Sequence, residues 1–349
     1  VGGHAVRGAA SHMSGMPGQS VSRRAWLAGA LSGVAAAGWR PAMATAATVR
    51  LGILQFGTVQ WIADVIGRHH LDAEQGVTIR TTLLANTDAG RIALMAGADD
   101  VIVSDWMFAA AQRAAGTKLC FAPFSSALGG VMVRADSPVH ELSELKGRVL
   151  GVAGGPVDKS WLIVQAAFRA STGSDLASVA HVLYGAPPLL NAKLQQGELD
   201  AVLTFWNFAA RLEASGCREI MSLTAAAKML GLSPHLNLVG FVFRQDWAEA
   251  HRRSIDGFLD AADAAEHLLA VSDQEWTRVR PLMDATNDSL FSSLRHRFVA
   301  GIAHPSAAAQ QQSAEQVFAI LLKTGGTRAT AGLSALPDGI FWRRADASG

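Results

Sequence analysis

The sequence has little cysteine, little charge and a single tyrosine, and these shortages exclude several classes of protein. Its two cysteines, Cys120 and Cys217, cannot form a disulfide framework or a four-cysteine zinc site, and the sequence does not decide whether they pair. Charged residues make up 17% and the net charge is +1, so no basic surplus exists to neutralise phosphates and we expect no nucleic-acid partner. Half of the residues are hydrophobic, which provides a large core and argues against intrinsic disorder.

Signatures of catalysis are also absent. The sequence contains no G-x-S-x-G, H-E-x-x-H or C-x-x-C motif. A glycine-rich stretch precedes Lys159, but Asp158 stands where a nucleotide-binding Walker loop needs glycine. His69 and His70 are adjacent, so a helix points them about 100° apart, which is poor geometry for chelation. We therefore predict no catalytic residue, no metal site and no cofactor, and a protein that is not an enzyme.

The first 44 residues contain four arginines and no acidic residue. The pair Arg23-Arg24 precedes an apolar run from Ala25 to Gly38, which ends near the small-x-small sequence Ala42-Met43-Ala44. This pattern is typical of an export signal, and the arginine pair favours the twin-arginine type. The run is short, and rich in Ala and Gly, for a span of about 30 Å of hydrocarbon. We expect a periplasmic protein; whether the signal is cleaved or kept as an anchor, and the origin of residues 1–21, stay open.

Short β-branched runs alternate with helical patterns in two series along the rest of the chain. The first series runs over residues 49–116 and the second over residues 143–204. Such alternation predicts an α/β fold with parallel strands and right-handed crossovers. From Asp246 onward the pattern is mainly helical, with an apolar stripe that includes Ile255, Phe258 and Leu259. This tail is too small for a separate domain, and we expect it to cover the first α/β unit.

Three segments resemble those of a known family. They are Leu51-Gly52-Ile53 with Gly57, the stretch from Ser137-Pro138 to Gly151-Val152, and Leu194-Gln195-Gln196-Gly197-Glu198-Leu199-Asp200-Ala201. In this order and spacing they resemble segments of ABC-transporter solute-binding proteins of the nitrate/sulfonate/taurine and thiamine-precursor group. The resemblance extends over residues 49–247, behind the predicted export signal.

The resemblance implies a type II periplasmic binding fold, in which two α/β lobes joined by two crossover strands enclose a ligand cleft. Carried onto this chain, the crossovers lie near 131–134 and 240–243. Lobe one then comprises residues 45–134 and 242–349, and lobe two residues 135–241. The implied function is the solute-binding component of an ABC import system, a monomer that serves a permease and ATPase complex in the inner membrane. The alternatives are a ligand-sensing subunit or an enzyme on the same fold related to thiamine-pyrimidine synthesis, although the cysteine-rich segment of those enzymes is missing here.

Open α/β sheets bind ligands beyond the carboxyl ends of their strands, so the candidate residues follow predicted strands. In lobe one, Gln55, Gly57 and Trp61 follow the first strand and offer an amide, room for close approach and a flat apolar face. Asp105 and Trp106 follow the third strand and offer an acceptor and an indole. The alternatives are that Trp61 belongs to the core and that Asp105 only caps the next helix.

In lobe two, the loop that opens a helix after the fourth strand is a candidate anion cradle, with Gly155, Asp158 and Ser160 as its contacts. The alternative is simple helix capping. Trp206 and Asn207 follow another strand at the edge of the implied cleft.

Two more strand ends hold weaker candidates for ligand contact. Tyr184 lies at the end of a second-lobe strand, and Ser125 lies near the first crossover. Across these loops the sequence places several tryptophans and two aspartates but no arginine. Indoles and carboxylates favour a small organic ligand with an amine, a nitrogen heterocycle or an aminosulfonate group over an inorganic oxyanion. We expect Asp105→Asn and Trp206→Ala each to weaken binding.

Overall fold

The computed structural model describes residues 47–55 and 57–345, so the predicted export signal lies outside the described residues. The described chain forms a mixed α/β fold with two five-stranded sheets. The strands are β1 (Ala47–Leu54), β2 (Val77–Leu84), β3 (Val101–Asp105), β4 (Leu119–Ser125), β5 (Gly130–Val133), β6 (Val149–Ala153), β7 (His181–Gly185), β8 (Ala201–Thr204), β9 (Arg218–Ser222) and β10 (Val239–Arg244).

Helices connect most of the strands. They are α1 (Val59–His69), α2 (Leu71–Glu74), α3 (Thr87–Met95), α4 (Trp106–Ala114), α5 (Lys159–Thr172), α6 (Leu176–Val179), α7 (Pro187–Gln196), α8 (Trp206–Ala214), α9 (Leu223–Met229), α10 (Gln245–Ala250), α11 (Arg252–Val271), α12 (Asp273–Val279), α13 (Asp288–Ala300) and α14 (Ala307–Ala329). Short 3₁₀ helices lie at Leu142–Leu145 and Arg280–Met283. None of the helices in the described residues is long and apolar enough to cross a membrane.

The two sheets share one arrangement. Their strand orders are β2-β1-β3-β10-β4 and β7-β6-β8-β5-β9. In each sheet the first three strands are parallel, and the fourth is antiparallel to both of its neighbours. The predicted α/β class with two sheets is therefore confirmed.

The antiparallel strands β5 and β10 are where the chain enters each sheet from the other half of the molecule. β5 hydrogen-bonds to β8 and β9, so strand pairing puts the passage between the two sheets at residues 126–129. The division into two lobes, with its boundaries at 134 and 241, stays a prediction.

Glycines at the start of both entering strands allow the backbones to approach closely. A Cβ atom on Gly129 would lie 1.7 Å from the carbonyl oxygen of Thr204, and one on Gly240 would lie 2.2 Å from that of Ala122. No side chain fits at these distances. Residues at both positions are therefore restricted to glycine by neighbouring main chain.

The carboxyl edges of the two sheets lie next to each other because the connection between them is short. β4 ends at Ser125 and β5 begins at Gly130, and only residues 126–129 separate them. A chain spans at most about 3.6 Å per residue, so these two strand ends are held close together. Ser125 pairs with Val239 in the first sheet, and Gly130 pairs with Thr204 in the second.

The helical tail covers the first α/β unit, which the sequence predicts, and it also packs on helices of the second. That expectation is correct for α11, which packs on α1, β1 and β2. α13 packs on α8 and also buries Leu294 and Phe298 in the cluster of the first sheet, whereas α14 packs on α5. The cause is apolar burial: Phe318 and Leu321 of α14 belong to the same buried cluster as Leu162 of α5. This cluster also contains residues of β3 and β8, so one core joins the two halves.

Candidate functional site

The first strand ends in a tightly bonded turn. The backbone N–H of Gln55 donates to the carbonyl of Leu84 at 2.9 Å, and that of Gly57 donates to Leu54 at 3.0 Å. Gln55 is exposed, and its own carbonyl accepts a hydrogen bond from the amide of Gln60. The turn therefore presents Gln55 to solvent at the carboxyl edge of the first sheet.

Trp61, one turn into α1, belongs to the core, which was the alternative considered for it. Its indole is buried against Trp276 and Phe298, with ring centroids 5.9 and 5.5 Å away. The ring nitrogen donates to the carbonyl of Leu282 at 3.3 Å. Trp61 also meets Trp206 of α8 edge-to-face at 6.2 Å, so it links the first sheet with a helix of the second.

Asp105 lies at the centre of the candidate site. One carboxylate oxygen accepts the backbone N–H of Phe108 at 3.0 Å and so caps α4, as the capping alternative predicted. The other accepts from the guanidinium of Arg91 at 3.1 Å and lies 3.4 Å from the ammonium of Lys159. Burial alone would raise the pKa of Asp105, but Lys159, Arg91 and the Phe108 N–H outweigh it and hold the pKa below its ordinary value.

The ion pair between Asp105 and Lys159 crosses from one sheet to the other. Asp105 is the last residue of β3 in the first sheet, whereas Lys159 begins α5, which follows β6 of the second. Together with the contact between Trp61 and Trp206, this pair shows that the carboxyl edges of the two sheets face each other. The Asp105–Lys159 and Trp61–Trp206 contacts thus bring together residues from four of the segments that follow predicted strands.

The loop after β6 is organised around Asp158. Its carboxylate accepts the backbone N–H groups of Ser160 at 2.9 Å and Trp161 at 3.3 Å, and so caps α5. Burial raises the pKa of Asp158, although Lys159 and the two N–H groups oppose this. Beside Gly155 an added Cβ would meet no atom within 4 Å, so the loop has open space on that side.

The described residues show no side-chain hydrogen bond or ion pair that joins Asp105 or Asp158 to the four other predicted contacts, Trp106, Ser125, Tyr184 and Asn207. Trp106 is 1% exposed and lies in the apolar core, so its indole faces are not open for stacking. The hydroxyl of Ser125 accepts the N–H of Ala127 at 3.0 Å and serves the turn between the sheets. Tyr184 is exposed on β7, the edge strand that pairs with β6, and Asn207 is half-buried beside Trp206.

Arg91 was not among the predicted contacts, because it lies on a helix and not in a loop that follows a strand. Arg91 lies one turn into α3, the helix that follows β2, and reaches back to the edge where β3 ends. Its guanidinium also lies over the ring of Phe108 at 4.8 Å. The sequence contained one signal for Arg91: it is a basic residue in the first turns of a helix that follows a strand.

A buried polar pair was also missed. Gln310 of α14 donates to the carbonyl of Asn237 at 3.1 Å, and both residues are buried. The side-chain oxygen and nitrogen of Asn237 have no hydrogen-bond partner among the described residues. Asn237 precedes β10 by two residues, close to where Val239 pairs with Asp105. It lies in an irregular stretch without a motif, so the sequence carried no signal for it.

Comparison with protein families identifies the chain. A family model described as NMT1/THI5 like matches residues 73–274, more than half of the sequence and a range that contains Asp105, Lys159 and Trp206. The chain belongs to this family. No curated protein sequence matches this NMT1/THI5-like chain.

Solved structures with the same fold include several periplasmic binding proteins. The aliphatic sulphonate-binding protein SsuA of Escherichia coli is 19% identical to this chain, with a TM-score of 0.64. The match covers 86% of this chain and 94% of the SsuA chain. SsuA of Xanthomonas axonopodis pv. citri, bound to MOPS, is 16% identical, with 85% and 98% covered and a TM-score of 0.60. The nitrate-binding protein NrtA of Synechocystis PCC 6803 is 11% identical, with 81% and 84% covered and a TM-score of 0.54. At these identities the likeness shows the fold of the NMT1/THI5-like chain.

Proposed function

We propose that this protein is the extracytoplasmic solute-binding component of an ABC import system and binds a small organic anion between its two sheets. The family and the fold support the binding role, since the similar structures are described as periplasmic sulphonate- and nitrate-binding proteins. In this proposal the two sheets form two lobes, export by the predicted signal places the protein in the periplasm, and a permease and ATPase complex receives the ligand.

The observation that carries the ligand class is the charge balance where the two sheets meet. Arg91 and Lys159 both contact Asp105, and Arg91 also pairs with the exposed Asp88 at 3.3 Å, so the two cations share one half-buried and one solvent-exposed carboxylate. The side chains of Arg91 and Lys159 keep 32% and 20% of their surface exposed, which leaves them accessible to a ligand. An anionic group that enters there competes with Asp105 for both cations and gains charge-assisted hydrogen bonds.

This charge balance changes the expectation from sequence that the two aspartates favour an amine or a nitrogen heterocycle. That expectation omitted Arg91, which comes from a helix outside the inspected loops. It also treated Asp158 as an ionised neighbour, whereas burial raises the pKa of that carboxyl group. Both differences favour a negatively charged ligand.

Aromatic residues on the second sheet suit the organic part of the ligand. Trp206 is half-buried, Phe205 is 38% exposed, and the side of Gly155 is open. Apolar surface of this kind gains little from a bare inorganic oxyanion but packs against a carbon chain or ring. A sulfonate-bearing organic molecule combines both requirements.

The direct test is mass spectrometry of any ligand released from the purified protein, followed by calorimetry with that compound or with an organic sulfonate. We expect Arg91→Gln and Lys159→Gln each to weaken binding at least tenfold, which corresponds to about 1.4 kcal/mol. Arg169→Gln is the matched control, because Arg169 lies on α5 like Lys159 but pairs with Asp175 at the other end of the helix. Equal affinities for all three variants would contradict the proposed site.

Asp105→Asn distinguishes an anionic ligand from a cationic one. An organic anion loses a competitor for Arg91 and Lys159, so we expect it to bind more tightly to the variant. An amine loses its acceptor and would bind at least tenfold more weakly, as the sequence alone suggested. Weaker binding of the natural ligand to Asp105→Asn would therefore support the amine class and overturn the anion.

A further inference from the structure

A cluster of metal-ligating side chains lies on the first-sheet side of the molecule, away from the residues of the proposed ligand site. Asp263 and Glu266 are three residues apart on α11 and so share a face of that helix. His304 lies in the segment between α13 and α14 and faces them. One ligand atom from each of the three residues can be chosen so that all lie within 4.8 Å of one another.

The geometry at Glu266 distinguishes this cluster from an ordinary surface ion pair. Glu266 is 2% exposed, and its Oε2 atom lies 3.2 Å from Nε2 of His304. Despite this distance, Oε2 has no hydrogen-bond partner of acceptable geometry among the described residues. An unpartnered buried carboxyl oxygen is costly when it is ionised, so burial and Asp263 raise the pKa of Glu266 to about 9, and a cation that binds at this oxygen must displace the proton.

Oε2 of Glu266 and Nε2 of His304 are close but are not aligned for a hydrogen bond. Two ligand atoms of one metal ion have this arrangement. Ligand atoms about 2.0–2.2 Å from a tetrahedral zinc ion lie roughly 3.2–3.6 Å from each other, which is the separation seen between Glu266 and His304. The other ring nitrogen of His304 lies 3.4 Å from a carboxylate oxygen of Asp263. Asp263 can thus ligate the ion itself or orient the imidazole, as carboxylates do for metal-bound histidines.

The surroundings provide access for an ion and a place for water ligands. His304 and Asp263 line a cavity of about 700 Å³ between α11, the start of α14 and the segment at 341–345. Arg344 donates to Asp263 at 2.6 Å and to Asp260 at 2.9 Å. This guanidinium fixes Asp263, and its charge lowers the affinity of the cluster for a cation.

We propose that Asp263, Glu266 and His304 form a binding site for a divalent transition-metal ion such as zinc. One imidazole with two carboxylates suits zinc better than magnesium or calcium, which prefer oxygen ligands only. Sequence reasoning predicted no metal site, because His304 is distant in the chain and no spacing motif connects it with α11.

The test is calorimetric titration of the full chain with Zn²⁺, with Mg²⁺ as the comparison ion. We expect Zn²⁺ to bind and Mg²⁺ to give no heat, and His304→Ala and Glu266→Gln each to weaken the Zn²⁺ affinity at least tenfold. His304→Ala changes a half-exposed side chain, so its result does not depend on a core that fails to fold. His235→Ala, which removes an exposed histidine elsewhere, is the control and should leave the affinity unchanged.

A titration with Co²⁺ provides a second measurement, since its visible absorption reports coordination by nitrogen and oxygen. We expect the absorption band in the parent protein and its loss in His304→Ala. Zn²⁺ binding that is equal in parent, His304→Ala and Glu266→Gln would overturn the proposal, as would no binding at all. Either result would leave His304 as the partner of two carboxyl groups in an ion pair only.

Discussion

Asp105 and Asp158 have the same local role on opposite sheets, yet their charges are controlled in opposite directions. Each is half-buried and caps the helix that follows a strand. The pKa of Asp105 is lowered, because Lys159 and Arg91 outweigh the effect of burial, whereas the pKa of Asp158 is raised, because burial outweighs its partners. The comparison teaches that a capping motif places a carboxylate, while cations from elsewhere in the fold decide its charge.

The largest difference between the two aspartates is expected when the negative charge of each is removed while its side chain still caps the helix. Asparagine caps a helix as well as aspartate does. We expect Asp105→Asn to lower the free energy of unfolding by about 2 kcal/mol, because Arg91 and Lys159 lose a charged acceptor. We expect Asp158→Asn to cost less than about 1 kcal/mol, since the amide oxygen keeps both backbone bonds. Urea denaturation at neutral pH measures both; equal losses would show that the two carboxylates are equivalent.

A second prediction concerns how the stability of each variant depends on pH. The lowered pKa of Asp105 stabilises the fold above pH 3.8, its ordinary pKa, and this contribution is lost as the pH falls below that value. The raised pKa of Asp158 has the opposite sign: its contribution is complete below pH 3.8 and is lost as the pH rises through the folded-state pKa.

Denaturation curves from pH 3 to neutral pH therefore separate the two residues. The advantage of the parent protein over Asp105→Asn should shrink toward the acidic end. Asp158→Asn should gain stability relative to the parent as the pH rises. Parallel pH profiles for the two variants would contradict the opposite pKa shifts of the two carboxyl groups.

The smallest expected effect concerns the loop that positions Asp158. Gly155→Ala should change the free energy of unfolding by no more than about 0.5 kcal/mol, because the added Cβ meets open space. Gly154→Ala is the matched comparison: Gly154 has φ +94°, so alanine there should cost about 1 kcal/mol or more. If Gly155 contacts the ligand as predicted, Gly155→Ala weakens binding although stability is unchanged. Unchanged binding would remove Gly155 from the site.

The sequence predicted the fold class and the order of its elements well, because both depend on local patterns. The strands expected near 131–134 and 240–243 coincide with β5 and β10 to within a few residues. The sheet that β5 joins was not predictable, since its hydrogen-bond partners lie far along the chain. Pairing between distant segments has no signature in local composition.

The candidate site shows the same limit. Asp105 and Trp206 were placed at the correct strand ends, and the structure adds their contacts with residues of the opposite half. The burial of Trp106 was not foreseen, because a tryptophan at the start of a helix looks the same in sequence whether it faces a cleft or a core. The role of Arg91 depends on two segments meeting in space, which only the structure shows.

The position of β10 has a consequence for the order in which the protein can fold during synthesis. The second sheet uses residues 130–222 without interruption, whereas the first sheet places β10 between β3 and β4. β4 leaves the ribosome long before β10, so the nascent first sheet must wait with β3 exposing an unpaired edge. The half of the molecule that is encoded first is therefore the half whose sheet is completed last.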